Sequence, residues 1–129
     1  MGKKENLIQK KTFEFSLRAI QLFKSLQEQK EFIISKQFLR SATSIGANVL
    51  EAEAAESKND FIHKMSLASK EARETKYWLL LLKEGKMTDI NIEYELTEID
   101  SIINILTAIV KTSRQNSTPK IQNPTFKIS

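Results

Sequence analysis

FIHKMSLASKEARETKYWLLLL, residues 61–82, decides the fold. Along it Phe61, Met65, Ala68, Ala72, Thr75, Leu79 and Leu82 step alternately by four and by three residues. Such steps line one side of a helix, and they are the spacing with which helices pack into bundles. Ser57, with Asp60 three residues later, resembles a capping box opening this helix. Gly85, flanked by Lys83 and Lys86, marks its end.

The same pattern recurs on either side. Downstream, Ile92, Leu96, Ile99, Ile103, Leu106 and Val110 form a second seam, preceded by Glu93 and Glu95 in a first turn that favours acids. Ile102, Ile105 and Ile109 fall outside that seam. Upstream, Phe38, Ala42, Ile45, Val49 and Ala52 form a third, with Ser35 placed as a helix N-cap. The first segment carries two stripes: Phe13, Leu17 and Ile20, and, roughly 200° away, Phe15, Ala19, Leu22 and Leu26. A helix with apolar stripes on opposite sides needs two partners, the bundle core and a second surface such as a neighbouring subunit. Connections near 31–34, 57–59 and 85–90 are short, so consecutive helices run antiparallel. The expectation is an all-α, up-down-up-down four-helix bundle over residues 1–112. The segment 113–129, which holds both prolines and no periodicity, reads as a flexible or peripheral C-terminal tail.

Composition agrees. A chain of 129 residues fits one domain, and three Gly with two Pro suit long helices. The absence of cysteine excludes a disulfide scaffold, thiol catalysis and thiolate metal sites, and it fits a reducing compartment. The longest wholly apolar run, residues 77–82, is far below the ~20 residues that span a bilayer. No signal-like apolar run opens the sequence, so a cytoplasmic protein without membrane contact is expected. The net charge of +4 is unevenly placed. Lys3, Lys4, Lys10 and Lys11 against Glu5 leave residues 1–11 at +3, while Lys111, Arg114, Lys120 and Lys127 put residues 111–129 at +4. The body between is mildly acidic, so the phosphate-seeking charge sits on two terminal arms.

The second helical segment carries a further line. On a helical wheel Arg40, Ser44, Asn48 and Glu51 fall together opposite the core seam, while Leu39, Gly46 and Leu50 widen the apolar arc on one flank. Gly46 costs a helix interior ~0.8–1.0 kcal/mol against Ala, so something tertiary should offset it. Ala42 and Gly46 form a notch where another helix can approach closely. The polar line has two readings. One is a solvated face. The other is a hydrogen-bonded network in a subunit interface, with Arg40 forked onto a carboxylate such as Glu51 or Glu74.

Leu39-Arg40-Ser41-x-x-Ser44-Ile45-Gly46-Ala47-Asn48-Val49 followed by Glu51 resembles the signature of the bacterial four-helix-bundle proteins, the 23S rRNA-intervening-sequence protein family. The resemblance continues through Ser57-Lys58-x-Asp60-Phe61-Ile62 and Ala68-x-x-Glu71-Ala72-x-Glu74-Thr75-x-Tyr77-Trp78-Leu79, covering roughly residues 10–110. The stretch Leu50-Glu51-Ala52-Glu53 departs from it, since many members read Ala-Glu-Gly there. The resemblance implies a small helical subunit like the accessory variability protein of diversity-generating retroelements. Those relatives form a barrel-like homopentamer that binds nucleic acid and a reverse transcriptase.

Catalytic chemistry finds little footing. A di-iron site needs paired Glu-x-x-His motifs, and His63 is the only histidine. Glycines at 2, 46 and 85 alone cannot build a phosphate-cradling loop. No enzyme, metal or cofactor is expected. Nucleic acid is the stronger candidate ligand, through Lys3, Lys4, Lys10, Lys11, Lys111, Arg114 and Lys120 on the arms and an outward arc of Lys70, Arg73 and Tyr77. No RNA-recognition or helix-turn-helix motif is visible, so low sequence specificity is expected. The alternative is a protein-interaction module with no nucleic-acid role. Arg40, Ser44, Gly46, Asn48, Glu51 and Glu74 are the candidates for an oligomer interface or for the family signature, and on the alternative reading the polar line would dock a protein partner.

Overall fold

The computed structural model describes residues 3–117, with side chains from 7 to 116. Four helices follow one another: α1 (Lys3–Glu28), α2 (Ile34–Glu53), α3 (Lys58–Glu84) and α4 (Glu93–Ser117). Each packs against its neighbours in the chain, and α1 against α4 closes the ring. Ion pairs fix the directions. Arg40 meets Glu74 while Glu51 meets Lys64, and Lys83 meets Glu93 while Lys76 meets Asp100. In both pairs of helices one residue number rises as the other falls, as antiparallel neighbours require. The architecture is therefore an up-down-up-down four-helix bundle.

The seams read from the sequence converge inside it. Phe15, Ala19, Leu22 and Leu26 of α1 and the whole Phe38-to-Ala52 seam of α2 are buried. So are the α3 seam from Met65 and the α4 seam, while Phe61 packs half-buried against the edge. A fully buried Leu, Ile or Phe contributes about 1.5–3 kcal/mol each, so this core holds the helices together. Ile102 and Ile109 are buried as well, and Ile105 packs against the core. α4 thus presents one broad apolar face to its own bundle, and those residues need no outside partner.

Two helix starts differ from expectation. Ser35 does not cap α2; it lies buried in the first turn, donating to Glu31 O at 2.7 Å. The cap is Glu31, whose carboxylate accepts from the backbone N–H of Ile33, Ile34 and Ser35 at 3.1, 3.0 and 2.6 Å. A carboxylate here satisfies three orphan donors and meets the positive end of the helix dipole. Burial by itself would raise the Glu31 pKa, but the three backbone donors outweigh it and hold the carboxyl below its ordinary value. Ser57 does cap α3, accepting from the Asp60 N–H at 3.0 Å.

At the other end of α3 the left-handed residue is Lys86, with φ of 54°, while Gly85 stays right-handed at −77°. Glycine is needed there for closeness: a Cβ on Gly85 would lie 2.6 Å from Leu81 O. α4 continues through Ser117, so residues 113–117 belong to the helix and not to a tail.

Candidate nucleic-acid interface

Charge is sorted along α4. Its acids, Glu93, Glu95, Glu98 and Asp100, lie near its start, and each is held by a base: Lys83, Arg18, Lys11 and Lys76 respectively. From residue 101 onward the chain contains no acid at all. Cations in the last turns also complement the negative end of the helix dipole. The half of α4 beside the start of α3 therefore carries charge of one sign, Lys111 and Arg114.

A groove of about 470 Å³ runs there between α3 and α4. Ser66, Ser69 and Arg73 line one side, and Thr107, Val110, Lys111, Arg114 and Gln115 the other. None of these residues is acidic. Arg73 Nη2 donates to Thr107 Oγ1 at 3.0 Å, and Arg114 Nη2 donates to Ser66 Oγ at 3.3 Å. A neutral hydroxyl thus steadies the Arg73 guanidinium without cancelling its charge, and another lies against Arg114. Three cations flanked by hydroxyl donors are suited to phosphate oxygens, which accept from both. Lys70 is exposed nearby on α3, and Tyr77, 55% exposed, stands one turn beyond Arg73 with its ring edge-on to Trp78.

Of the residues singled out in the sequence, Arg73, Lys111 and Arg114 are brought together, with Lys70 beside them. Lys11 is not available in the same way, since its ammonium lies 3.0 Å from Glu98. Lys10 faces a different groove, between α1 and α2. Lys3 and Lys4 occupy the first turn of α1, at the same end of the bundle as the last turns of α4, and their side chains lie outside the described residues. Lys120 also lies outside them. The hydroxyls Ser66, Ser69 and Thr107 escaped sequence reading, because nothing but the α3–α4 register places them against the arginines.

The polar line of α2 resolves into a ladder within one chain. Arg40 forks onto Glu71 at 3.3 Å and onto Glu74, both on α3. Glu74 also accepts from Trp78 Nε1 at 3.0 Å. Ser44 Oγ returns to Arg40 O and Asn48 Nδ2 to Ser44 O, while Glu51 pairs with Lys64 rather than Arg40. Each signature side chain along α2 is thereby tied either to its own helix or to α3.

Residues 4–108 match the family model of the 23S rRNA-intervening sequence protein. The chain belongs to that family. A solved structure from Bacteroides thetaiotaomicron, of a protein with unknown function from the S23 ribosomal protein family, is 47% identical. It covers 84% of this chain and 98% of its own, with a TM-score of 0.78. Among curated proteins nothing matches. Of the signature residues of α2 in this family member, Arg40 and Glu51 form ion pairs across to α3.

The second groove, of about 630 Å³, lies between α1 and α2. In the ring of helices this edge is opposite the α3–α4 edge. Gly46 and Ala47 form its floor with Thr12 and Ser16, and Phe13 and Leu50, 64% and 66% exposed, stand beside it. Phe13 of the spare α1 stripe and Leu50 of the widened α2 flank, read separately in the sequence, share this groove, while Leu17 and Ile20 line another with Ile90 and Glu95. The notch at Gly46 is where α1 comes close: a Cβ there would meet Ser16 Oγ and Thr12 O at 3.5 Å. Among the described residues, no group of three His, Asp or Glu side chains is placed to hold a metal ion. No helix among them is long and apolar enough to cross a membrane.

Proposed function

We propose that this family member is a homo-oligomeric, non-catalytic accessory protein that binds RNA or DNA through its phosphate backbone, with low sequence specificity. One observation carries the reading: Arg73, Lys111 and Arg114 line a groove in which, among the described residues, no carboxylate takes part, while the acids in the other half of α4 are paired. Phosphate contacts position a nucleic acid without reading its bases, which accounts for the low specificity. Self-association multiplies such grooves, so weak individual contacts add up to useful avidity. The resemblance to accessory proteins of diversity-generating retroelements points the same way.

Fluorescence anisotropy with labelled RNA and DNA across a salt series tests this. Micromolar binding that weakens steeply with salt is the expected outcome. A well-folded protein that binds neither at low salt would remove the reading. The apolar α1–α2 groove favours a second one, a protein-interaction module with no nucleic-acid role. Recovery of a single protein partner after nuclease treatment, with no binding in the salt series, would decide for it.

A further inference from the structure

We infer that the nucleic acid this chain takes is single-stranded, and that the exposed ring of Tyr77 stacks on one of its unpaired bases. This rests on the phosphate binding proposed above and adds the class of strand and the residue that selects it. Lys70, Arg73, Tyr77 and Leu80 step by three, four and three along α3, so they share one stripe, and all four are exposed. Charge occupies the half of the stripe beside the α3–α4 groove. Apolar surface occupies the other half, with Tyr77 55% and Leu80 36% exposed. One helical turn, about 5.4 Å, separates Arg73 from Tyr77. A phosphate held by Arg73 therefore leaves its own base within reach of the ring.

The ring is braced from behind. Tyr77 meets Trp78 edge-on with centroids 5.3 Å apart, Trp78 Nε1 donates to Glu74 at 3.0 Å, and Glu74 pairs with Arg40 of α2. A side chain already steadied in this way loses little freedom when a base arrives, which favours binding. The neighbouring acids are matched by bases: Glu71 and Glu74 share Arg40, and Asp100 pairs with Lys76. A duplex keeps its base faces stacked inside, so it offers the stripe phosphates alone. An unpaired strand offers phosphate and base face together. Every base has such a face, so stacking adds affinity without reading sequence, in keeping with low specificity.

Anisotropy with oligo(U), oligo(dT) and RNA and DNA duplexes of equal length, each titrated with the full chain across a salt series, tests this. Both single strands are expected to bind more tightly than either duplex. Tyr77→Leu, which keeps an apolar side chain at an exposed position, should weaken single-strand binding about 5- to 150-fold. Its salt slope and its duplex binding should stay as in the wild type, because no charge is removed. Tyr77→Phe should retain wild-type affinity, and circular dichroism checks that both variants keep their helicity. Should Tyr77→Leu lose helicity, the emission of Trp78, the only tryptophan, decides in the unaltered chain. It is expected to change with oligo(U) and not with the duplexes, since the base seats beside it. No binding of any probe at low salt would overturn the phosphate reading together with this one. Duplexes bound as tightly as single strands, an unchanged single-strand affinity in a folded Tyr77→Leu, or an unchanged Trp78 emission would overturn the stacking alone.

Discussion

Thr75 Oγ1 on α3 lies 2.8 Å from Ser41 Oγ on α2, both residues wholly buried. Each hydroxyl also has a carbonyl of its own helix within reach, Glu71 O at 2.8 Å and Phe38 O at 3.2 Å. The pair is thus a satisfied polar contact in the midst of the α2–α3 core. Thr75→Val leaves Ser41 without its partner across the helices and is expected to cost about 1–2 kcal/mol in urea unfolding. Ser41→Ala combined with Thr75→Val should cost less than the two single changes summed, because no orphaned hydroxyl then remains. Strict additivity would show that the two groups do not interact.

Glu31 makes the start of α2 sensitive to acid. Burial pushes its pKa up, yet the N–H groups of Ile34, Ser35 and Ile33 outweigh this and hold it below the ordinary value. A depressed folded-state pKa contributes stability above the unfolded pKa, and that contribution fades as pH falls through the folded value. Glu31→Gln should therefore be less stable than wild type at neutral pH, by about 1 kcal/mol as for other lost caps. The gap should close in acid below the carboxylate range. A gap that stays constant with pH would assign the loss to packing instead.

Gly46 separates two kinds of substitution. A Cβ there would sit at ordinary contact distances, 3.5–3.6 Å, from Ser16 and Thr12. Gly46→Ala should therefore be tolerated, and the helix propensity gained is worth up to ~1 kcal/mol. Gly46→Leu has to place a branched side chain in the α1–α2 groove, and it is expected to lower the melting temperature or alter the mass in solution. Equal melting curves for all three proteins would mean that α1 does not depend on the notch.

Arg40 holds two carboxylates of α3, with its own side chain about half exposed. Solvent screening limits such a pair, so Arg40→Ala should lower stability by no more than ~1 kcal/mol. Glu74→Ala removes a partner of both Arg40 and Trp78, and it should cost more. Trp78 is the only tryptophan, so its emission reports the change directly. An unaltered spectrum in Glu74→Ala would mean that the indole contact contributes nothing in solution.

Repeating three-and-four spacing made the bundle legible from residues 61–82 outward, because helix periodicity and burial share one cause. The spare stripe of α1 was legible in the same way, since Phe13 and Leu17 could not share a face with Phe15 and Ala19. What periodicity could not show was side-chain reach. Glu31 caps α2 from outside the helix, and a residue so placed carries no N-cap signature in the sequence. Ile102 and Ile109 looked surplus to one seam, although a helix wedged between two neighbours buries a wider arc than a heptad seam assumes. Arg40 had several carboxylates within its plausible range, and only the α2–α3 register assigns it to Glu71 and Glu74. The cations of the α3–α4 groove were visible as residues but not as a group, because Arg73 and Arg114 are distant in sequence and meet only where α3 and α4 run side by side.

That convergence yields a quantitative expectation for binding. Each phosphate neutralised by the groove contributes a slope of about −0.7 to −0.9 to log K against log salt, for single-stranded and duplex nucleic acid respectively. Arg73→Ala with Lys111→Ala should therefore flatten the slope by about 1.4–1.8 and weaken binding to all sequences alike. Lys11→Ala, which removes a base already engaged with Glu98, should change the slope far less. The comparison controls for net charge at each substituted position, since every substitution removes one positive charge and only the surroundings differ. Equal slopes per charge removed would place the binding in the general field of the protein, and not in the α3–α4 groove.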